Sequence, residues 1–332
     1  VQNIYVASLN LRLPQSVSAE LAYLSKLWLD RKSQKPAGNS DIFLFYSGAG
    51  LGTARRLRQG PVIRIVEAVN SHVLVQERIL REEHKNLGLP FAGFHRREMA
   101  RRVAEYREAD AILCPSSFVR RSFIEEGFPE DRILLVPYGF TPPEIPISGE
   151  KNGDSFRVLY VGQISIRKGL RYLLQAFAKL KHPRKELWIV GPRTQLTGID
   201  DLEIPDGTSF PGPLKGADLS RAYQQASVFV LPTLEDGFGL VLGEALSFGR
   251  PVITTVNSGG AELIQEGIEG FSVPIRDTAS ILEKLQLLAG NPGLLERMSS
   301  AALVRGRLIG GWSTAEKLLL DGLSKISKHS ST

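Results

Sequence analysis

The stretch SVFVLPTLEDGFGLVLGEALSFGRPVITT, residues 227–255, restricts the fold of this 332-residue chain more than any other. SVFVLP is a short, continuous apolar run, as expected of a strand buried on both faces. GFGLVLGEALSFG then carries the apolar spacing of a buried helix, and RPVITT is a second apolar run. Strand, helix and strand in that order predict a parallel βαβ unit.

The loop between strand and helix holds Asp236, and Gly237 and Gly239 leave backbone exposed where the first amides of the helix lack internal partners. Such amides favour an anion, for example a diphosphate. Asp236 and Glu244 are eight residues apart, a step of roughly 12 Å at helical rise. Two carboxylates hydrolysing one glycosidic bond stand about 5 to 9.5 Å apart. The pair is therefore expected to hold two ends of an extended ligand, and a nucleotide sugar fits: sugar hydroxyls at Asp236, diphosphate on the helix amides, ribose at Glu244. The plainer alternative is an acidic helix cap and an exposed helix carboxylate.

The rest of the chain repeats the strand-helix alternation. NIYVASL reads as a strand, residues 16–30 as a helix with Ser16 or Ser18 as its cap, and RKSQKPAGNS as a polar break. DIFLFY, PVIRIVEAV, the start of ADAILCPSS and ILLVPYGF read as further strands, with helices between. TPPEIPISGEKNGDS is the linker candidate, being rich in Pro, Gly and Ser. After it FRVLYVG, ELWIVG, TSFPGPL, SVFVLP, RPVITT and GFSVPI supply a second series, and GWSTAEKLLLDGLSKI reads as a closing helix. The expected division is a first Rossmann-like domain over 1–142, a linker over 143–155, a second Rossmann-like domain over 156–310 and a helix and tail over 311–332 that packs back on the first domain.

In the loop QISIRKG, Arg167 and Lys168 precede a helix entrance, where the helix dipole disfavours cations. An anion held between them and the backbone accounts for their position, and a solvated pair is the alternative. His72, in the NSH that follows a strand, lies where open α/β sheets bind ligands. SGAGLG, with Gly48, Gly50 and Gly52 after a strand and Glu67 further on, resembles part of a dinucleotide fingerprint and carries a competing oxidoreductase reading. Ala245, Ser247 and Gly249 mimic part of a serine-hydrolase elbow, but the serine falls inside a predicted helix.

The single Cys114 excludes an intramolecular disulfide and fits a reducing, cytoplasmic setting. The net charge of +6 arises from interspersed residues and favours anionic ligands over nucleic acid. The cluster Arg96, Arg97, Arg101 and Arg102 reads as a solvated helix face with a secondary reading as a peripheral membrane contact. No Asp-x-Asp pair and no clustered His/Cys set suggests a metal.

These motifs together resemble the retaining GT-B glycosyltransferases, glycosyltransferase family 4. VLYVGQISIRKG, VFVLPTLEDGFGLVLGEALSFGRPVI and SGGAELIQEGIEGFSVPIRD carry the resemblance, and CPSSFVRRSFIEEGF and ILLVPYGF agree with it. The resemblance implies two Rossmann-like domains with parallel sheets facing a central cleft. It places Glu244 at the donor ribose, Asp236 at the sugar hydroxyls, Lys168 at the diphosphate, and the amides of Gly237, Phe238, Gly239 and Leu240 nearby. His72 would approach the donor sugar. The donor would be a UDP-, GDP- or ADP-sugar, the acceptor a glycan, a lipid-linked or a small molecule, and no metal or other cofactor would be required. Three departures stand out. Asp236 replaces the usual Glu, with Glu235 beside it. Gln163 replaces an Arg of the diphosphate site, for which Arg167 is the expected substitute. The family's opening strand and Gly-rich loop do not precede NIYVASL, so the first βα unit is expected to be missing. A catalytically silent sugar-nucleotide-binding protein of the same fold is the alternative function.

Overall fold

The computed structural model describes residues 15–140 and 155–329. NIYVASL and, apart from Ser155, the residues proposed as linker lie outside the described residues. Two α/β units are present.

The first unit takes in the described residues through Arg81, Pro90–Val136 and the last helix from Lys317. Its elements are α1 (Gln15–Ala37), β1 (Ile42–Tyr46), α2 (Leu51–Arg56), β2 (Ile63–Glu67), α3 (Val73–Asn86), α4 (Arg96–Glu108), β3 (Ala111–Cys114), α5 (Ser117–Glu125) and β4 (Ile133–Leu135). The sheet is parallel throughout in the order β1-β2-β3-β4. β3 is buried at all four residues, which is why it reads as an unbroken apolar run. Phe45, Val66, Ile112, Val119 and Phe123 form the core around it. Ser116 caps α5 by accepting from the Val119 amide at 3.2 Å.

Three expectations for this unit are corrected. Helix α1 does not stop at Asp30; it continues to Ala37, and Ser16 and Ser18 lie inside it. Arg, Lys, Gln and Ser tolerate a helix, so polarity alone did not end it; the chain leaves the helix at Gly38. The Arg cluster on α4 is not one solvated face. Arg96 and Arg97 are exposed, Arg102 pairs with Glu98, and Arg101 is buried against Asp30, with its Nε donating to the Gly48 carbonyl at 3.0 Å.

The Gly-rich loop also departs from the dinucleotide reading. Its amides are taken by the chain's own carboxylates: Glu105 accepts from Gly48, from Gly50 at 2.8 Å and from Leu51 at 3.0 Å. Asp30 accepts from Gly52 at 2.7 Å and Thr53 at 2.8 Å. Glu105 and Asp30 are themselves buried. A Cβ on Gly50 would stand 2.1 Å from the Phe45 ring, so its glycine serves internal packing. Buried carboxylates hold the places a pyrophosphate would need, and the oxidoreductase reading lapses.

The second unit comprises Glu82–Leu89, which includes the end of α3, and Pro137–Glu316. Its elements are β5 (Phe156–Val161), α6 (Leu170–Lys179), β6 (Lys185–Val190), β7 (Thr208–Gly212), α7 (Gly216–Gln225), β8 (Val228–Leu231), α8 (Leu240–Ser247), β9 (Val252–Thr255), β10 (Gly270–Val273), α9 (Thr278–Ala289), α10 (Pro292–Ile309) and the start of α11 (Ser313–His329). The parallel sheet runs β10-β9-β8-β5-β6-β7. Numbered within the unit, this is the doubly wound order 3-2-1-4-5-6, read from β7. Pro211 sits on the edge strand β7, where the missing N–H costs no central ladder bond.

Central strands β5 and β8 are buried at every residue. Helix α6 seals one face with Leu170, Leu173, Leu174 and Phe177, each at most 1% exposed and spaced to form one stripe. Burial of each such side chain contributes about 1.5–3 kcal/mol, so the helix and the turn that opens it are anchored firmly. From Lys317 onward α11 belongs to the first unit, where a Cβ on Gly322 would meet Leu134 at 3.1 Å. Among the described residues no helix is long and apolar enough to cross a membrane.

Candidate functional site

The sheet order reverses between β5 and β8, and such a switch point, at the carboxyl ends of the strands, is where open α/β sheets bind ligands. The two loops leaving those ends are 162–169 and 232–239. Arg167 and Lys168 come from the first, and Glu235 and Asp236 from the second.

The loops are fastened to each other by backbone. Leu234 donates its amide to the Arg167 carbonyl at 2.9 Å, and the Thr233 hydroxyl lies 3.2 Å from the same oxygen. Gly169, in the left-handed region at φ 65°, ends the 3-10 turn Ile166–Lys168 and caps α6. A Cβ there would fall 2.0 Å from the Pro232 carbonyl oxygen, so only glycine permits this approach. The loop after β9 braces the second loop: Asp236 donates its amide to the Asn257 carbonyl at 3.0 Å, and Asn257 Nδ2 donates to the Leu234 carbonyl at 3.0 Å.

Within this frame the Lys168 ammonium pairs with the Asp236 carboxylate, each side chain 13% exposed. Arg167 has a different partner. Its Nη1 donates to the Glu235 carbonyl at 2.8 Å and lies 3.4 Å from the Glu235 carboxylate, which is fully buried. Glu235 is thus turned inward, and Arg167, the expected substitute for a cation at Gln163, pairs with it. Gln163 itself is exposed, and its carbonyl accepts from the Tyr160 hydroxyl at 2.8 Å. Burial pushes that hydroxyl far above the usual phenol range, so it remains a donor.

Phe238 is buried in the core and Gly239, at φ 75°, caps α8. Leu240 then begins the helix at the surface, 42% exposed. Because α8 spans only Leu240–Ser247, Asp236 lies in the loop and not on the helix, so the helical estimate of its distance from Glu244 does not apply. Glu244 accepts from the Tyr223 hydroxyl at 2.9 Å. Burial, reinforced by the Glu244 charge, holds Tyr223 well above the usual phenol range, and Tyr223 is stacked on Phe248 at 5.2 Å. The phenol is therefore a fixed donor that aims the carboxylate. Ser247 closes α8 with its hydroxyl bonded to the Gly243 carbonyl at 3.0 Å, as expected of a helix serine and not of a nucleophile elbow.

Residues 143–305 match the family model for glycosyl transferases group 1. The matched stretch contains both loops and helix α8. D-inositol 3-phosphate glycosyltransferase of Pseudarthrobacter chlorophenolicus is 28% identical over 255 residues, 69% of this chain and 60% of that protein. The chain spans about half to three fifths of the length of the curated relatives it matches. Among solved structures, sucrose-phosphate synthase from Thermosynechococcus elongatus superposes with a TM-score of 0.72 at 20% identity, over 96% of this chain and 81% of that one. Anabaena HepE in complex with UDP gives 0.66 at 18%, over 89% and 81%. Likeness at this identity establishes the fold, which is GT-B.

His72 belongs to the first unit. Its amide donates to Ser122 Oγ at 2.8 Å, its Nδ1 accepts from the Leu74 amide at 3.3 Å, and its ring packs on Tyr106 and Phe123. Burial lowers its pKa from 6.5 to about 4, so the imidazole is neutral at pH 7. The unfolded chain takes up this proton below pH 6.5 while the native state refuses it until about pH 4. Stability therefore falls as pH drops through that window, by up to roughly 3 kcal/mol. Thermal melts of wild type and His72→Gln should show a larger loss between about pH 7.5 and 4.5 for wild type; equal losses would contradict this placement.

Three contributing residues carry no motif role in the sequence: Tyr223, Tyr138 and Phe140. Tyr223 orients Glu244 from 21 residues away, with no motif to announce it. Tyr138 and Phe140 press on the α8 region: Tyr138 meets the Phe238 ring edge-on at 5.6 Å, and Phe140 covers Gly243 so closely that a Cβ there would stand 2.5 Å from its ring. The YGF of ILLVPYGF was the available signal. Among the described residues no group of three or more His, Cys, Asp or Glu is placed to hold a metal ion.

Proposed function

We propose that this chain transfers a sugar from a nucleoside diphosphate sugar to an acceptor hydroxyl with retained anomeric configuration, as a family 4 enzyme. One observation carries the reading: two loops at one topological switch point bring the Lys168 cation and the Asp236 carboxylate together, beside a helix whose Glu244 is aimed by a buried phenol. HepE, a protein of the same fold, is known in complex with UDP, which supports a nucleotide ligand for this chain.

In this reading Glu244 accepts from ribose hydroxyls, and Asp236 from sugar hydroxyls. Lys168 and the amides that open α8 receive the diphosphate. The bond between the anomeric carbon and the phosphate oxygen breaks, and charge grows on the leaving diphosphate where Lys168 and the preorganised amides stabilise it. The acceptor oxygen bonds to the anomeric carbon on the same face, and a leaving-phosphate oxygen takes its proton. His72 enters as a neutral hydrogen-bonding imidazole, since burial removes it from proton traffic near pH 7.

UDP-, GDP- and ADP-sugars should be screened by thermal shift, and the product of the stabilising donor analysed by NMR with glycan, lipid-linked and small-molecule acceptors. One donor class should raise the melting temperature, and the product linkage should keep the donor's anomeric configuration. Inversion would overturn the retaining mechanism. Stabilisation without transfer or donor hydrolysis would favour the silent binding protein, a reading suggested by the commitment of Arg167 to Glu235 and by the neutral Gln163.

A further inference from the structure

We infer that the Lys168–Asp236 pair makes the crevice discriminate a nucleoside diphosphate sugar from the bare nucleoside diphosphate; the inference rests on the donor-site reading above. The charges of the two loops cancel within themselves. Arg167 is matched by the buried Glu235, and Lys168 by Asp236. Gln163 adds no charge, so a diphosphate meets no unclaimed cation from these four charged side chains and must draw Lys168 away from Asp236.

The consequence depends on what else the ligand carries. A bare diphosphate takes Lys168 and leaves the Asp236 carboxylate, only 13% exposed, without its counter-ion and next to new negative charge. Removing one partner of a poorly solvated pair is costly because the other keeps its desolvation penalty. A sugar on the same diphosphate places hydroxyl donors beside Asp236 and replaces the lost ammonium with hydrogen bonds. The backbone cannot relieve the bare diphosphate by moving Asp236 aside, since its amide and carbonyl are bonded to Asn257 and Gly259 at 3.0 and 3.2 Å. After transfer, re-formation of the pair helps to expel the nucleoside diphosphate product.

The test compares UDP with UDP-glucose, GDP with GDP-mannose and ADP with ADP-glucose by isothermal titration against wild type, Asp236→Asn and Asp236→Ser, with melting curves for each protein. For the base that binds, wild type should prefer the sugar nucleotide by about tenfold or more. Both variants free Lys168, so the bare diphosphate should bind several-fold tighter than to wild type and the preference should shrink toward unity. Unchanged or weaker binding of the bare diphosphate by folded variants would overturn the inference while leaving the donor site in place. Failure of wild type to bind any of the six ligands would remove the donor-site reading, and this inference with it.

Discussion

Lys168→Ala should lower sugar transfer, measured as kcat/KM for the donor, by roughly a hundredfold to a thousandfold. Two effects act in the same direction. The substitution removes the cation proposed to receive the leaving diphosphate, and it strips Asp236 of its ion-pair partner. The carboxylate then repels the donor phosphates. Lys168 is not part of the apolar core, but its loss leaves the poorly solvated Asp236 carboxylate without a counter-ion, so the melting temperature should fall by several degrees while the protein stays folded. Lys168→Arg should recover only part of the activity, because the planar guanidinium does not occupy the place of a compact ammonium. Full activity in Lys168→Ala would remove the residue from the reaction.

The second large effect is on stability. Gly169→Ala should cost about 2–4 kcal/mol and lower the melting temperature of the second unit by roughly 5–15 °C. The new methyl would meet the Pro232 carbonyl oxygen at 2.0 Å; the Cβ position is fixed by its own backbone and the oxygen is a backbone atom, so neither can rotate away. The left-handed φ adds strain. Gly267→Ala is the matched control: its φ of 77° is similar, yet nothing lies within 4 Å of the added Cβ. It should cost about 1 kcal/mol. Equal melting temperatures for the two variants would show that the approach of loops 162–169 and 232–239 is not tight in solution. Any movement of these loops also displaces Lys168, so Gly169→Ala should lose transfer beyond its loss of stability.

The strands of the second unit were legible because burial on both faces leaves unbroken apolar runs such as FRVLYV and VFVL. Their alternation with helices implied a parallel sheet. The crevice loops were legible for a related reason: glycines and charges at the end of an apolar strand have no packing role in the layer below. Pairing was not legible. Sequence placed Arg167 at a diphosphate, whereas the fold gives it to Glu235, 68 residues on. SGAGLG looked open to a ligand until Glu105 and Asp30 were seen to fill it. Tyr223 could not be linked to Glu244. In each case the deciding partner is distant in the chain and is brought in by tertiary packing, which local periodicity does not encode. The length of α1 failed differently: a polar composition resembled a break, although its residues are compatible with a helix.

Proposed binding of a nucleoside diphosphate sugar at the β5–β8 switch point depends on Lys168. Isothermal titration of the sugar nucleotide selected by thermal shift, into wild type and Lys168→Ala under identical salt, tests it most directly. Wild type should bind one-to-one, and the variant with an affinity at least about tenfold weaker. Equal affinities in two folded proteins, or heat from neither, would contradict it.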